Sequence, residues 1–96
     1  MLSIIVPVRN ESDNLKSLFD YFSKNIKNLN YEVLIINDYS EDDTLNKTKE
    51  LVQEYKNFEV FDNLKKGLGG AINLGIKNAK GLNVAIMMAD ESDDIN

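Results

Sequence analysis

The chain of 96 residues contains no cysteine and no histidine. Without cysteine it forms neither disulfides nor thiolate metal sites, and this composition is consistent with a reducing compartment. Without histidine, imidazole acid–base catalysis and zinc held by imidazole are also excluded. A bound metal would therefore need oxygen ligands, which makes Mg²⁺ or Mn²⁺ the natural candidate.

Long apolar runs and an excess of positive charge are also missing. No stretch is long enough to cross a bilayer, and no basic leader precedes the first apolar run. The net charge of −5 argues against a surface that binds nucleic acid. We therefore expect a soluble, cytoplasmic chain without a nucleic-acid partner. For a longer parent protein, a position at the cytoplasmic face of a membrane stays open.

Apolar segments with the spacing of strands and of helices alternate along the chain. Strands are predicted at 2–8, 31–36, 58–61 and 84–88, and a helical pattern follows each of the first three. Helix-length connections between buried strands indicate right-handed crossovers and a parallel sheet. The prediction is an α/β, three-layer, Rossmann-like fold with about four strands in the order 3-2-1-4 and helices on both faces.

The helical segments are predicted in more detail from their apolar faces and their caps. Ser40 is predicted to be the N-cap of the second helix, in a capping box that ends at Asp43. The apolar face of the first helix is predicted to consist of Leu15, Leu18, Phe19, Phe22, Ile26 and Leu29. In the third helix, at 69–79, the residues predicted to point inward are Ala71, Ile72, Gly75, Ile76 and Ala79.

Polar and acidic residues cluster where the predicted strands end, at 7–11, 37–40, 63–67 and 89–94. Ligands of open parallel sheets bind beyond the carboxyl ends of the strands. Carboxylates gathered there would repel a polyphosphate unless a divalent cation lay between them. The clusters therefore predict a site for a metal and a diphosphate.

Four segments in this order resemble the motifs of family-2 glycosyltransferases with the GT-A fold. They are Val-Pro-Val-Arg-Asn-Glu at 6–11, Ile-Ile-Asn-Asp-Tyr-Ser-Glu-Asp-Asp-Thr at 35–44, the glycine-rich 66–75 with Ala-Lys-Gly at 79–81, and Ile-Met-Met-Ala-Asp at 86–90. The resemblance runs the whole chain. Within the family, the order and spacing look most similar to dolichol-phosphate mannose synthases and their bacterial polyprenyl-phosphate relatives.

The resemblance implies binding of a GDP- or UDP-linked sugar with Mg²⁺ or Mn²⁺. Glu11 is expected to accept a hydrogen bond from the ribose or the base, and Asp38 is expected to accept one from a base N–H. Ile36 is expected to pack on the base. Asp90 is implied as the direct metal ligand, and Ser92 as a contact of the metal or its water. The residues implied to bind the nucleotide sugar are Pro7, Arg9, Glu11, Ile36, Asp38, Ala89 and Asp90.

Two positions depart from the family pattern. Asn37 replaces the first acid of an acidic pair, and this amide keeps the ability to form hydrogen bonds. Met88 replaces the first acid of the D-x-D motif, which removes a carboxylate normally near the ribose or a metal-bound water. Because Asp90 is retained, we do not expect an inactive enzyme.

The reaction implied is transfer of the sugar, with inversion, to a polyprenyl phosphate or to a glycan or lipid acceptor. Family members supply the base and the acceptor surface later in the chain, so 1–96 is expected to be the donor-binding part of a longer enzyme. The catalytic base is expected downstream of Asn96, and this chain alone should transfer no sugar. The free edge of the last strand also favours a homo-oligomer.

Two other classes stay open, a non-catalytic nucleotide-binding module and a sugar nucleotidyltransferase. The second should have a glycine-rich, basic loop after the first strand, and 7–11 contains no glycine. The glycines at 67, 69 and 70 bind phosphate in one interpretation. In the other, which we favour, they only allow a tight turn and close packing of the helix.

Overall fold

Strands and helices alternate along the chain as the apolar pattern predicts. The computed structural model describes residues 1–25 and 30–88. Its elements are β1 (Leu2–Val8), α1 (Leu15–Asn25), β2 (Tyr31–Asp38), α2 (Thr44–Glu54), β3 (Phe58–Asn63), α3 (Leu68–Asn78) and β4 (Asn83–Ile86). Ile26 and Leu29, which were expected on the first helix, lie outside the described residues.

The four strands form one parallel sheet in the order β3-β2-β1-β4, so the predicted topology is confirmed. The central strands β1 and β2 are buried along almost their whole length. A parallel strand covered on both faces is expected to be apolar throughout, and this is why their sequences lack alternation.

Side chains on alternate positions of the central strands enter two separate cores. Val6 and Ile35 belong to the core that α1 covers, and Leu51 of α2 packs at its margin. On the opposite face, Ile5 and Leu34 pack against Ala71 of α3. The helices therefore lie on both faces of the sheet, as predicted.

The inward face of α3 is narrower than the sequence indicates. Ala71 and Gly75 are buried, whereas Ile76, predicted to point inward, is 49% exposed. Ile72 and Ala79 are partly exposed. Positions 71 and 75 are four residues apart and share one side of a helix, while position 76 is turned about 100° further round the axis. The prediction for Ile76 is therefore wrong.

The predicted capping role of Ser40 is also wrong. Helix α2 begins at Thr44 with Asp43 as its N-cap, and no side chain forms a cap hydrogen bond there. The Ser40 hydroxyl instead accepts the N–H of Asn10 at 3.0 Å and donates to Asn37. It connects two loops, so it is not free to cap a helix.

Strand β4 is an exposed edge strand in the part of the chain that the structure describes. Its Val84 and Ile86 are 43% and 47% exposed, and it pairs only with β1 among the described strands. The following Met87 packs against the core beneath α1. None of the described helices is long and apolar enough to traverse a bilayer.

Candidate functional site

A cleft of about 260 Å³ opens at the carboxyl ends of β1 and β2. It is lined by Pro7, Val8, Arg9, Glu11, Asp38, Leu68 and Met88. The cleft thus brings together four of the residues singled out in the sequence, at 7, 9, 11 and 38. Parallel strands end at the same edge of a sheet, so segments 30 residues apart meet there.

The remaining predicted residues are placed differently. Ile36 is fully buried in the core beneath α3 and does not line the cleft. Ala89, Asp90 and Ser92 lie outside the described residues. Their predicted roles, including metal binding by Asp90 and Ser92, therefore stay predictions. Within 1–25 and 30–88, no group of three acidic residues is arranged to hold a metal ion.

Asp38 is the buried carboxylate of the cleft, with only 7% of its surface exposed. Its Oδ1 accepts from Asn63 Nδ2 at 2.9 Å and from the Gly67 N–H at 3.0 Å. None of the described residues donates to Oδ2. Asp38 therefore has one oxygen held by the protein and one available to a ligand in the cleft.

Arg9 contributes the complementary group, a buried donor. Its Nε is buried and has no acceptor among the described residues. An unpaired buried N–H costs about 1–3 kcal/mol, so such a group points to an acceptor supplied from elsewhere. The residues that line the cleft thus include a carboxylate with one oxygen that receives no donor from the described residues, and an arginine whose buried Nε has no acceptor among them.

The loops after β1 and β2 are tied to each other by side chains. Asn10 and Tyr39, which follow the two strand ends, both have left-handed backbones, with φ of 51° and 55°. Asn10 Oδ1 accepts the N–H of Glu41 at 2.7 Å, and Thr44 Oγ1 accepts the N–H of Glu11 at 2.9 Å. Asparagine tolerates the left-handed region better than most residues. These contacts fix the backbone from which Glu11 reaches the cleft.

Asp42 strengthens this connection between the loops. It accepts the N–H of Thr44 at 3.0 Å, the hydroxyl of Thr44, and the N–H of Ser12 at 3.4 Å. Desolvation alone would raise the pKa of Asp42, but the hydrogen bonds from Thr44 and Ser12 outweigh it and lower the pKa. From the sequence, no role of its own was expected for Asp42, so its linking role was missed.

Asn37, the first departure from the family pattern, has a structural role. It is 3% exposed, donates to Asp62 Oδ1 at 2.9 Å and accepts from Ser40. It borders a second cavity, of about 340 Å³, that shares no residue with the cleft. The second departure, Met88, does line the cleft, so an apolar side chain stands on its wall.

The glycine-rich segment shapes the wall of the cleft. Gly67 has a φ of +150°, in the region that favours glycine, and precedes the first residue of α3. Its N–H is engaged by Asp38. The contacts therefore favour a structural role for this turn. Leu68, the next residue, lines the cleft and was not predicted from the sequence. Its position just after a glycine turn that follows a strand end was the signal that could have indicated this.

Comparison with known proteins gives a consistent set of relatives. The family described as "Glycosyl transferase family 2" matches residues 3–96. A dolichol-phosphate mannosyltransferase of Pyrococcus furiosus is 36% identical over 89 residues, covering 93% of this chain and 25% of that protein. A dolichyl-phosphate-sugar glucuronosyltransferase of Methanococcus voltae is 39% identical over 83 residues, covering 83% of this chain and 26% of the relative. The chain thus spans about a quarter of the length of these relatives.

Solved structures share the fold. S. aureus TarS in complex with UDP-GlcNAc superposes with a TM-score of 0.75 at 27% identity, over 93% of this chain and 26% of that one. A Pyrobaculum calidifontis mannosyltransferase in complex with GDP-Man and Mn²⁺ has a TM-score of 0.80 at 22% identity, over 93% and 27%. The second likeness shows the fold alone. Both likenesses show that the four-stranded sheet has the GT-A fold of glycosyltransferases.

Proposed function

Because the chain belongs to glycosyl transferase family 2, we propose that its cleft binds the nucleotide of a nucleotide-diphosphate sugar and that the whole protein transfers this sugar to an acceptor. One observation carries the proposal. The cleft at the carboxyl edge combines the free oxygen of buried Asp38 with the unpaired Nε of Arg9. Ligands of this class of sheet bind at that edge.

The two groups favour a particular kind of base. Asp38 accepts an N–H and Arg9 donates to a carbonyl, and uracil and guanine carry these two groups side by side on one edge. Adenine and cytosine carry no N–H beside a carbonyl on the equivalent edge. Leu68 and Met88 supply apolar surface for packing the base, in the role that the sequence suggested for Ile36. The proposed donor is a UDP- or GDP-linked sugar, and TarS, described with UDP-GlcNAc, supports this class.

We also propose that a divalent metal binds to residues that lie outside the described ranges. Asp90 is the proposed ligand of Mg²⁺ or Mn²⁺, Ser92 a proposed contact of the metal or its water, and Ala89 a proposed contact of the diphosphate. A hard cation suits their oxygen ligands and would neutralise the departing diphosphate.

The acceptor is a separate part of the proposal, since the chain spans only about a quarter of the length of its curated relatives. We propose transfer with inversion to a polyprenyl phosphate or to a glycan or lipid, at the cytoplasmic face of a membrane, with residues 1–96 as the donor-binding part. Relatives named for dolichol-linked substrates support the lipid-phosphate class. A phosphate acceptor is already anionic and needs little help from a general base.

Calorimetric titration with UDP, GDP, ADP and CDP, with Mn²⁺ and with a chelator, tests the donor site. We expect UDP or GDP to bind best and Mn²⁺ to strengthen binding. Asp90→Asn should remove only the gain from Mn²⁺. Asp38→Asn should weaken binding about tenfold or more in both conditions, because a hydrogen bond to a charged group is worth about 1.5–3 kcal/mol.

The matched control is Asp43→Asn, which neutralises an exposed carboxylate outside the cleft and should leave affinity unchanged. Equal affinity with and without Mn²⁺ would remove the metal from the proposal. Equal affinity for all four nucleotides would contradict recognition of the base by Asp38 and Arg9. A sugar-transfer assay with radiolabelled donor and polyprenyl phosphate then tests the acceptor class.

A further inference from the structure

The carboxamide of Asn63 connects the parts of the wall that face the cleft. Its Nδ2 donates to Asp38 Oδ1 at 2.9 Å and to the carbonyl of Lys65 at 2.7 Å, and lies 3.3 Å from the carbonyl of Gly67. Asn63 is the last residue of β3 and lies beside Asp38 in the parallel ladder. One side chain therefore holds both the carboxylate and the turn before α3.

These contacts decide which oxygen of Asp38 meets a ligand. A carboxylate rotates easily about its last torsion, whose energy wells are broad. Here Asn63 Nδ2 and the Gly67 N–H both reach Oδ1, from two different segments, and so hold the carboxylate in one plane. With Oδ1 occupied, Oδ2 is the oxygen left for a donor in the cleft.

We propose that Asn63 is a positioning residue for nucleotide recognition, acting through Asp38. The inference rests on the proposed function, since Asp38 accepts the base N–H there. Asn63 does not line the cleft. It keeps the acceptor oriented before the ligand arrives, which lowers the ordering cost of binding. It also sets the start of α3, from which Leu68 reaches the same cleft.

The neighbouring rung of the sheet provides an internal control. One residue earlier in the same ladder, Asn37 of β2 donates to Asp62 of β3, also at 2.9 Å. The two rungs carry the same amide–carboxylate pair with the partners exchanged. The Asn37–Asp62 pair borders the second cavity, as Asn63 itself does, and of these four residues only Asp38 lines the cleft. A change in either rung should disturb folding, but only one should disturb binding.

The experiment compares Asn63→Asp with Asn37→Asp in the protein, measuring thermal stability and the affinity for UDP and GDP at a temperature where every variant is folded. Each substitution keeps the side-chain shape, removes the donor and sets two carboxylates against each other. Both should lower stability. We expect Asn63→Asp to weaken nucleotide binding about tenfold or more, and Asn37→Asp to leave it within about twofold.

Exchanged pairs separate positioning from stability. Asp38→Asn with Asn63→Asp should regain stability by restoring the hydrogen bond, yet stay weak in binding because the carboxylate is on the wrong strand. Asn37→Asp with Asp62→Asn should regain stability and bind as the unchanged protein does. Asn63→Ala, which adds no charge, should also weaken binding and covers the case in which Asn63→Asp does not fold.

The outcomes distinguish the inference from the proposed function. If the unchanged protein binds UDP or GDP and the variants at 63 bind equally well, the positioning role is refuted and the proposed function stands. Equal weakening by Asn63→Asp and Asn37→Asp would make the role of Asn63 merely structural and would also refute it. An unchanged protein that binds neither nucleotide refutes the proposed function, and this inference with it.

Discussion

Helix α3 approaches the centre of the sheet closely at Gly75 and not at Gly69. We therefore expect replacement by alanine to lower stability at Gly75 and to raise it at Gly69. A Cβ at Gly75 would lie 2.5 Å from Cγ2 and 3.0 Å from Cδ1 of Ile5, whereas carbon atoms normally touch at about 3.5–4.0 Å. Ile5 is fully buried on a central strand, so it has little room to move. At Gly69 of the same helix, no described atom lies within 4 Å of an added Cβ.

The magnitude follows from two opposing terms. Overpacking a core costs about 1–3 kcal/mol, and the upper end applies at so short a distance. Alanine in place of glycine in a helix returns about 1 kcal/mol. Gly75→Ala should therefore lower the free energy of unfolding by about 2 kcal/mol, or the melting temperature by about 8–16 °C in a domain of this size. Gly69→Ala has only the favourable term, and should raise stability by up to about 1 kcal/mol.

Thermal and urea unfolding followed by circular dichroism measure both variants. In an Ile5→Ala background, which removes Cγ1, Cγ2 and Cδ1, the cost of Gly75→Ala should shrink, and the double-mutant cycle gives the coupling. Neither glycine lines the cleft, so nucleotide affinity should not change. A Gly75→Ala protein as stable as its parent would show that α3 does not approach the sheet as described.

Two further predictions concern carboxylates. Glu32 is 8% exposed and accepts hydrogen bonds from Ser3 Oγ at 2.6 Å and from the Lys80 N–H at 2.7 Å. Glu32→Ala should therefore lower the free energy of unfolding, measured in urea, by about 3 kcal/mol. Nucleotide affinity should not change, because Glu32 lies at the amino end of β2, and an affinity loss beyond that of the Ser3→Ala control would contradict this. Because the pKa of Asp42 is lowered on folding, its contribution to stability is present above its unfolded pKa of about 3.9 and is lost as pH falls below it. The stability difference between Asp42→Asn and its parent should therefore be larger at neutral pH than near pH 3, and a difference that grows on acidification would show the wrong sign.

The sequence by itself determined the layers, the sheet order and the edge at which the cleft lies. Continuous apolar runs at β1 and β2 are possible only where both faces of a strand are covered, and this pattern does not depend on any single contact. The meeting of Arg9, Glu11 and Asp38 follows from the same rule, since parallel strands end at one edge. The boundaries of the strands were predicted to within about two residues.

Only the tertiary structure decided what individual side chains do at that edge. Ile36 and Asp38 are two residues apart, yet Ile36 is buried in the core beneath α3, whereas Asp38 borders the cleft. The exchanged Asn–Asp rungs at 37 and 38 exist because β2 and β3 pair in one particular register. A shift of that register by one residue would move every side chain to the other face. Apolar periodicity indicates that a strand is buried, but it contains no information on which residue of a neighbouring strand lies beside it, and hydrogen bonds between side chains depend on that pairing.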